Sequence, residues 1–393
     1  MNWLKRAVAP AALGLSAALL MSTPSMARDV NALLMKSLGQ SDNINPIVAE
    51  TFRLVATDLT PEQRDLALKC WKDSSCETGH GELTVALADG FGENVWRQVT
   101  KMEFIVQALK YPNIKKILYT SGRSDPTKSI SDLRSLIAQK ANIIVVFADA
   151  STALLPTIQE ATEAGSLVIL HNGTYVGGTA GKDYLTTVSE NLCNLGKGMI
   201  DSVGTAGKPD ANVVELGGTP GNGLSAAWQK CADEEMAAKY PKMTLLGKAD
   251  TNWTQEGTFQ AVSGFLAQGK PVDGYIYEYA DGFRGGLRAY QEAKKAPDMV
   301  VALRTDEQGL FCDWEKINDP NFKIFFASGH NFQSAIALTA GEMKLAGTDI
   351  PTTVDVPFQF RPVKKGMCNA DLPQDASLST TLDDDMLKAM FKK

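Results

Sequence analysis

Residues 135–173 read SLIAQKANIIVVFADASTALLPTIQEATEAGSLVILHNG. Two short, unbroken apolar runs, 143–147 and 167–170, flank a stretch at 151–164 with helical spacing. Such strands belong to a parallel sheet that helices cover on both faces. The rhythm extends backward to strands at 83–87 and 116–119, with helices at 93–109 and 127–139. It restarts after residue 190, with strands at 213–216, 244–246, 274–277, 300–303 and 323–326 and a late one at 354–358. Helices are expected there at 192–203, 224–240, 256–268, 283–294 and 332–345. Two such runs predict an α/β protein of two doubly wound parallel-sheet lobes. Residues 28–81 show no strand pattern and read as a helical N-terminal extension, with Thr60-Pro61-Glu62 as a helix start.

The first 27 residues read differently. Lys5 and Arg6 form a basic head, 7–21 are almost wholly apolar, and Ser25-Met26-Ala27 offers small residues for cleavage. That order describes a secretory leader cut after Ala27, since 15 apolar residues are too short to span a bilayer. The mature chain is expected to be periplasmic and not embedded in a membrane. With 45 acidic against 39 basic residues the net charge is −6, which disfavours a nucleic-acid partner.

Six cysteines in an exported chain favour disulfides. Proximity pairs Cys70 with Cys76. Cys193 and Cys231 fall on the first two helices of the second lobe, where neighbours can touch, and Cys312 with Cys368 would tie down the C-terminal tail. No metal and no cofactor are expected: CxxC and HxxxH are absent, and the histidines are His80, His171 and His330.

Several segments together resemble the periplasmic sugar-binding proteins of ABC importers, type I (ribose/galactose-type). They are LTVALADGFGENVWRQ (83–98), the 135–173 stretch, VELGGTPGNGLSAAWQKCADEEM (214–236), VDGYIYEYADGFRGGLRAYQEA (272–293) and MVVALRTDEQG (299–309). The resemblance implies three chain crossings between the lobes, placed near 187–190, 328–331 and 348–353. Lobe I would be 82–187 plus 331–350, lobe II 190–328 plus 352–360, and 361–393 a tail. It also implies a non-catalytic monomer that captures a small-molecule ligand, a sugar or polyol, and delivers it to an inner-membrane ABC permease. The alternatives are a sensor presenting a small molecule to a membrane receptor, and a secreted α/β hydrolase built on Ser225.

Ligands of open α/β sheets sit beyond the carboxyl ends of the strands. Phe91, Asn94 and Trp96 follow the first strand, Asp149 the third and Asn172 the fourth. In the second lobe Trp253 follows the 244–246 strand, Asp281 the 274–277 strand and Asp306 the 300–303 strand. Trp228 stands where many relatives carry an arginine, and His330 lies at the second crossing. Aromatic rings can stack on sugars and carboxylates can accept hydroxyl protons. An aromatic cleft with several carboxylates and few basic groups is expected to suit a neutral or cationic ligand.

Overall fold

The structure, a computed structural model, describes residues 28–391 apart from Glu93 and Thr174. The leader and its cleavage site lie outside the described residues. Three helices come first: α1 (Val30–Leu38), α2 (Pro46–Val55) and α3 (Pro61–Lys72). Asp29, Asn45 and Thr60 each accept a first-turn N–H, and Thr60 with Gln63 completes a capping box. Leu33, Leu34 and Phe52 bury their apolar face in the core of the first lobe, so the extension is part of that lobe's packing.

The first lobe continues with β1 (Ser75–Glu77), β2 (Leu83–Asp89), α4 (Val95–Ala108), β3 (Ile114–Ser121), α5 (Pro126–Ala138) and β4 (Ile143–Phe147). A 3₁₀ turn at Ser151–Leu154, α6 (Leu155–Glu163), β5 (Leu167–His171) and β6 (Thr186–Ser189) follow. The second lobe runs α7 (Leu192–Thr205), β7 (Asn212–Gly217), α8 (Gly223–Lys239), β8 (Thr244–Asp250), α9 (Gln255–Ala267) and β9 (Gly274–Tyr277). It goes on through α10 (Ala280–Glu292), β10 (Val300–Leu303), α11 (Gln308–Ile317) and β11 (Lys323–Phe326). The chain then returns to the first lobe for α12 (Gln333–Leu345) and β12 (Thr353–Asp355), and ends with β13 (Arg361–Pro362) and α13 (Asp384–Met390).

The first sheet has the order β1-β3-β2-β4-β5-β6-β12 and the second β13-β11-β10-β9-β7-β8. Every pairing is parallel except those of β1 with β3 and of β13 with β11. Strand alternation divides each sheet between two cores. Val85, Leu87, Ile143 and Val145 face the extension, α4 and α12, while Ala86, Ile144, Val146 and Leu170 face α5 and α6. In the second lobe Tyr275, Tyr277 and Val301 face one side, and Val213, Ile276 and Ala302 the other.

Two boundaries differ from the sequence reading. The stretch 28–81 contains a strand, β1, held on the sheet edge by pairing with β3 and by the Cys70–Cys76 bridge rather than by an apolar run. The 354–358 stretch was assigned to lobe II, but β12 pairs with β6 in the first sheet. The third crossing therefore falls at 356–360, and the second at 327–332 joins β11 to α12. Cys193–Cys231 and Cys312–Cys368 are bridged, with Cα atoms 5.0 and 4.8 Å apart.

The C-terminal tail, polar in sequence, is buried over residues 376–382 apart from half-buried Leu378. Its first part lies on the second lobe, where Gln308 N–H donates to Ala376 O at 2.9 Å. Past residue 379 it reaches the first lobe, where Asp383 pairs with Arg64 at 2.5 Å and Phe391 packs edge-on to Trp71. The chain thus passes between the lobes a fourth time.

Candidate functional site

A small cavity lies between the lobes at the carboxyl ends of the strands. The first lobe supplies Asn94, Trp96 and Arg97 from the start of α4, and Asn172 from the end of β5. The second supplies Leu224, Trp253, Glu278, Tyr279, Arg304 and Thr305.

The aromatic walls are fixed in place. Trp96 Nε1 donates to Gly329 O at 2.6 Å, at the second crossing. Trp253 Nε1 donates to Glu278 Oε2 at 2.6 Å, and Phe91 meets the Trp253 ring edge-to-face with centroids 5.3 Å apart. Trp253 holds φ at 47°, a left-handed conformation that a bulky residue rarely adopts, and Asn172 holds 63°. Gly218 makes room for Trp253, because a Cβ there would fall within the indole ring.

Glu278 is covered by donors. Trp228 Nε1 and Ser225 Oγ donate to Oε1 at 2.6 and 2.5 Å, while Trp253 occupies Oε2. Burial pushes the Glu278 carboxyl up, and these hydrogen bonds oppose the shift. Its role is to hold the indoles.

Two guanidinium groups reach the cavity, each with a buried carboxylate behind it. Arg97 lies 3.5 Å over the Phe147 ring, with its Nη1 3.8 Å from Asp89 Oδ2. That Nη1 makes no hydrogen bond among the described residues. Burial lowers the Arg97 pKa and raises that of Asp89. Arg304 donates to Glu190 and to Asn172 Oδ1, joining the lobes at the first crossing. Gln333 also donates to Glu190, and His330 Nδ1 lies 3.3 Å from it. Burial pushes the Glu190 carboxyl up, but Arg304 and His330 outweigh it and hold it well below the usual range. Burial and the two arginines hold His171 well below its usual pKa.

Of the residues expected at the cleft, Asn94, Trp96, Asn172 and Trp253 line the cavity, and Phe91 backs Trp253. Asn94 also caps α4, its Oδ1 accepting from Arg97 N at 3.0 Å. Asp149 sits at the rim, where its Oδ1 accepts from Thr219 Oγ1 at 3.0 Å and Asn222 Nδ2 at 2.9 Å across the lobes. Like Phe91 and Asp149, four further expected residues are not among those lining the cavity. Trp228 is fully buried in the second lobe's core behind Glu278. Asp281 accepts from Gln255 Nε2 at 3.0 Å. Asp306 is fully buried under the tail, accepting from Ser377 Oγ at 2.5 Å and Ser379 N at 2.9 Å. His330 is buried in the hinge between Phe332 and Phe358. The expected cleft rich in carboxylates and poor in bases is therefore corrected: Asp281 and Asp306 turn elsewhere, and Arg97 and Arg304 take their place. Arg97 and Arg304 stand in the sequence beside Trp96 and close to Asp306, at the same strand ends; that position was their signal. Glu278 and Tyr279, directly after β9, were likewise missed.

Residues 86–311 match the sequence profile of the periplasmic binding protein domain, and the chain belongs to that family. A xylitol-binding protein of Mycolicibacterium smegmatis is 24% identical over 200 residues, which are 50% of this chain and 55% of that protein. The match thus spans about half the length of that relative. The binding protein of the arabinose ABC transporter from Shewanella sp. ANA-3 superposes with a TM-score of 0.65 at 17% identity, covering 71% of this chain and 91% of that one. An ABC transporter solute-binding protein from Bacillus halodurans C-125, solved with myo-inositol, gives 0.63 at 14% identity, covering 72% and 96%. These likenesses show a shared fold of two α/β lobes around a hinge. Among the described residues no helix is long and apolar enough to cross a membrane.

Proposed function

We propose that the protein captures a small neutral polyhydroxyl compound, a sugar or polyol, between its lobes and delivers it to an ABC permease. The observation that carries this reading is the pairing of each cavity arginine with its own buried carboxylate, Arg97 with Asp89 and Arg304 with Glu190. The guanidinium groups can donate to hydroxyl oxygens without excess charge facing the ligand. A carboxylate or phosphate would meet Asp89, Glu190 and Glu278 close behind the walls. A cation would meet two guanidinium groups. Trp96 and Trp253 add flat apolar faces, and Asn94 and Asn172 add amides able to donate and accept. The ligands named for the relatives, xylitol, arabinose and myo-inositol, are all of this class.

The reading includes export with cleavage after Ala27, a monomeric mature protein, and no catalysis. Ser225, the hydrolase candidate, supports the wall: its Oγ donates a hydrogen bond to Glu278 and accepts one from Gly218 N at 3.0 Å. Calorimetric titration of ligand-stripped protein with pentitols, aldoses and inositols, against aldonates and quaternary ammonium compounds, tests the proposal. Binding confined to the charged compounds would overturn it.

A further inference from the structure

We propose that the C-terminal tail belongs to the binding machinery, with Ser379 as a positioning residue for the cavity wall. The inference rests on the reading of the interlobe cavity as the ligand site. Ser379 Oγ accepts from Gly329 N–H and donates to Asp306 Oδ2. The carbonyl oxygen of the same Gly329 accepts the indole N–H of Trp96 at 2.6 Å. One residue therefore separates the tail from the ring that walls the cavity. Gly329 also lies on the second crossing, so its position follows the hinge. A side chain at Gly329 would collide with Ser377 and Asp306, which shows how closely the tail covers this peptide.

The two ends of this segment are fastened to different lobes. Asp306, on the second lobe, accepts from Ser377 Oγ, Ser379 N and Ser379 Oγ. Glu103, on α4 of the first lobe, accepts from Thr380 Oγ1 at 2.5 Å, Thr381 N at 2.8 Å and Thr381 Oγ1. Both carboxylates are fully buried. Five consecutive tail residues thus connect a lobe II carboxylate to a lobe I carboxylate, and Trp96 stands on the same helix as Glu103. Buried carboxyl groups satisfied by hydroxyl and amide donors resist separation, because each lost partner leaves a desolvated acceptor unsatisfied. The tail sets where Trp96 stands and restrains how far the lobes part.

Ser379→Ala in the full chain removes the bond to Gly329 and leaves the Ser379 N bond to Asp306. The expected result is several-fold faster hydrogen exchange at the Gly329 amide and greater acrylamide quenching of tryptophan fluorescence. The quenching change should vanish when Trp96→Phe is added, which assigns it to that indole. Arg64→Met, which removes the pair that fastens Asp383, at the far end of the tail, to α3, should lower the unfolding midpoint without moving either readout. If Ser379→Ala lowers the midpoint while both readouts stay at wild-type values, or if Arg64→Met moves them equally, the tail is only a structural cover. In the unaltered protein the amides of Gly329 and Ser379 should show one shared protection factor, each rate taken relative to its intrinsic rate, and unequal protection would also overturn the proposal. None of these readouts needs a sugar, so they decide the role of the tail separately from the polyhydroxyl reading.

Discussion

Glu278 holds Trp228 and Trp253 by their indole nitrogens, both at 2.6 Å, one on each carboxylate oxygen. One of the indoles is core and the other is cavity wall, so the carboxylate fixes the wall to the lobe. Glu278→Gln offers a single acceptor oxygen to three donors and adds two N–H groups of its own. At least one indole loses its partner, at about 1–3 kcal/mol. The variant is expected to bind ligand more weakly and to unfold at lower temperature. Calorimetry and thermal unfolding check the two effects together.

Gly218→Ala should damage binding from outside the cavity. The new methyl group would occupy the place of the Trp253 ring. The expected loss of affinity is at least about tenfold, or ~1.4 kcal/mol, measured by titration.

Trp228→Ala should act on stability first. The side chain is fully buried, and truncating a buried aromatic costs about 3–5 kcal/mol. Chemical denaturation of the ligand-free protein should show a large drop in midpoint. A drop within experimental error would mean that Trp228 is solvated in the open form, as its position near the cleft suggests from sequence alone.

The strands legible in the sequence are those buried on both faces, such as β4, where five consecutive apolar residues leave no other reading. β1, β6 and β13 carry sequences SCE, TTVS and RP, which have no apolar run and exist because neighbouring backbone is available to pair with them. The same limit governs the site. Position after a strand placed Trp96, Asn172 and Trp253 among the residues that line the interlobe cavity. It could not separate Arg304 from Asp306, two residues apart beyond β10, of which one reaches the cavity and the other the tail. Nothing local in the sequence brings Ser377 and Ser379 onto Asp306, because they are more than 70 residues away.

Asp149 and Asn222 form a rim contact between the lobes that can be inverted by design. Asn222→Asp keeps a good cap for α8, since Asn and Asp cap equally well, but sets two carboxylates against each other. Ligand dissociation should accelerate by about five- to tenfold, in line with ~1 kcal/mol for a partly exposed contact. Adding Asp149→Asn should restore the slow rate. Stopped-flow dissociation of the three proteins checks both steps.

Glu307 gives the stability a pH dependence. Burial pushes its carboxyl up to about 8 from an ordinary 4.5, although Thr305 Oγ1 donates to it at 2.6 Å. The folded protein holds this proton more tightly than the unfolded chain does. Its contribution is complete below pH 4.5 and is lost as pH rises through about 8, by up to ~1.4 kcal/mol per pH unit. Glu307→Gln, which mimics the protonated form, should flatten that part of the stability profile. Denaturation midpoints of the two proteins between pH 5 and pH 8 measure the difference.

The disulfides divide the molecule in a way that matters for its working life. Cys70–Cys76 lies within the first lobe and its extension, while Cys193–Cys231 and Cys312–Cys368 lie within the second. The contacts described between the lobes, Arg304 with Asn172, Asp149 with Asn222 and the tail on its two carboxylates, are hydrogen bonds that break and re-form. Oxidation can therefore finish on each half independently of whether a ligand is present. On the proposed function, rounds of loading and release would proceed without opening a covalent bond.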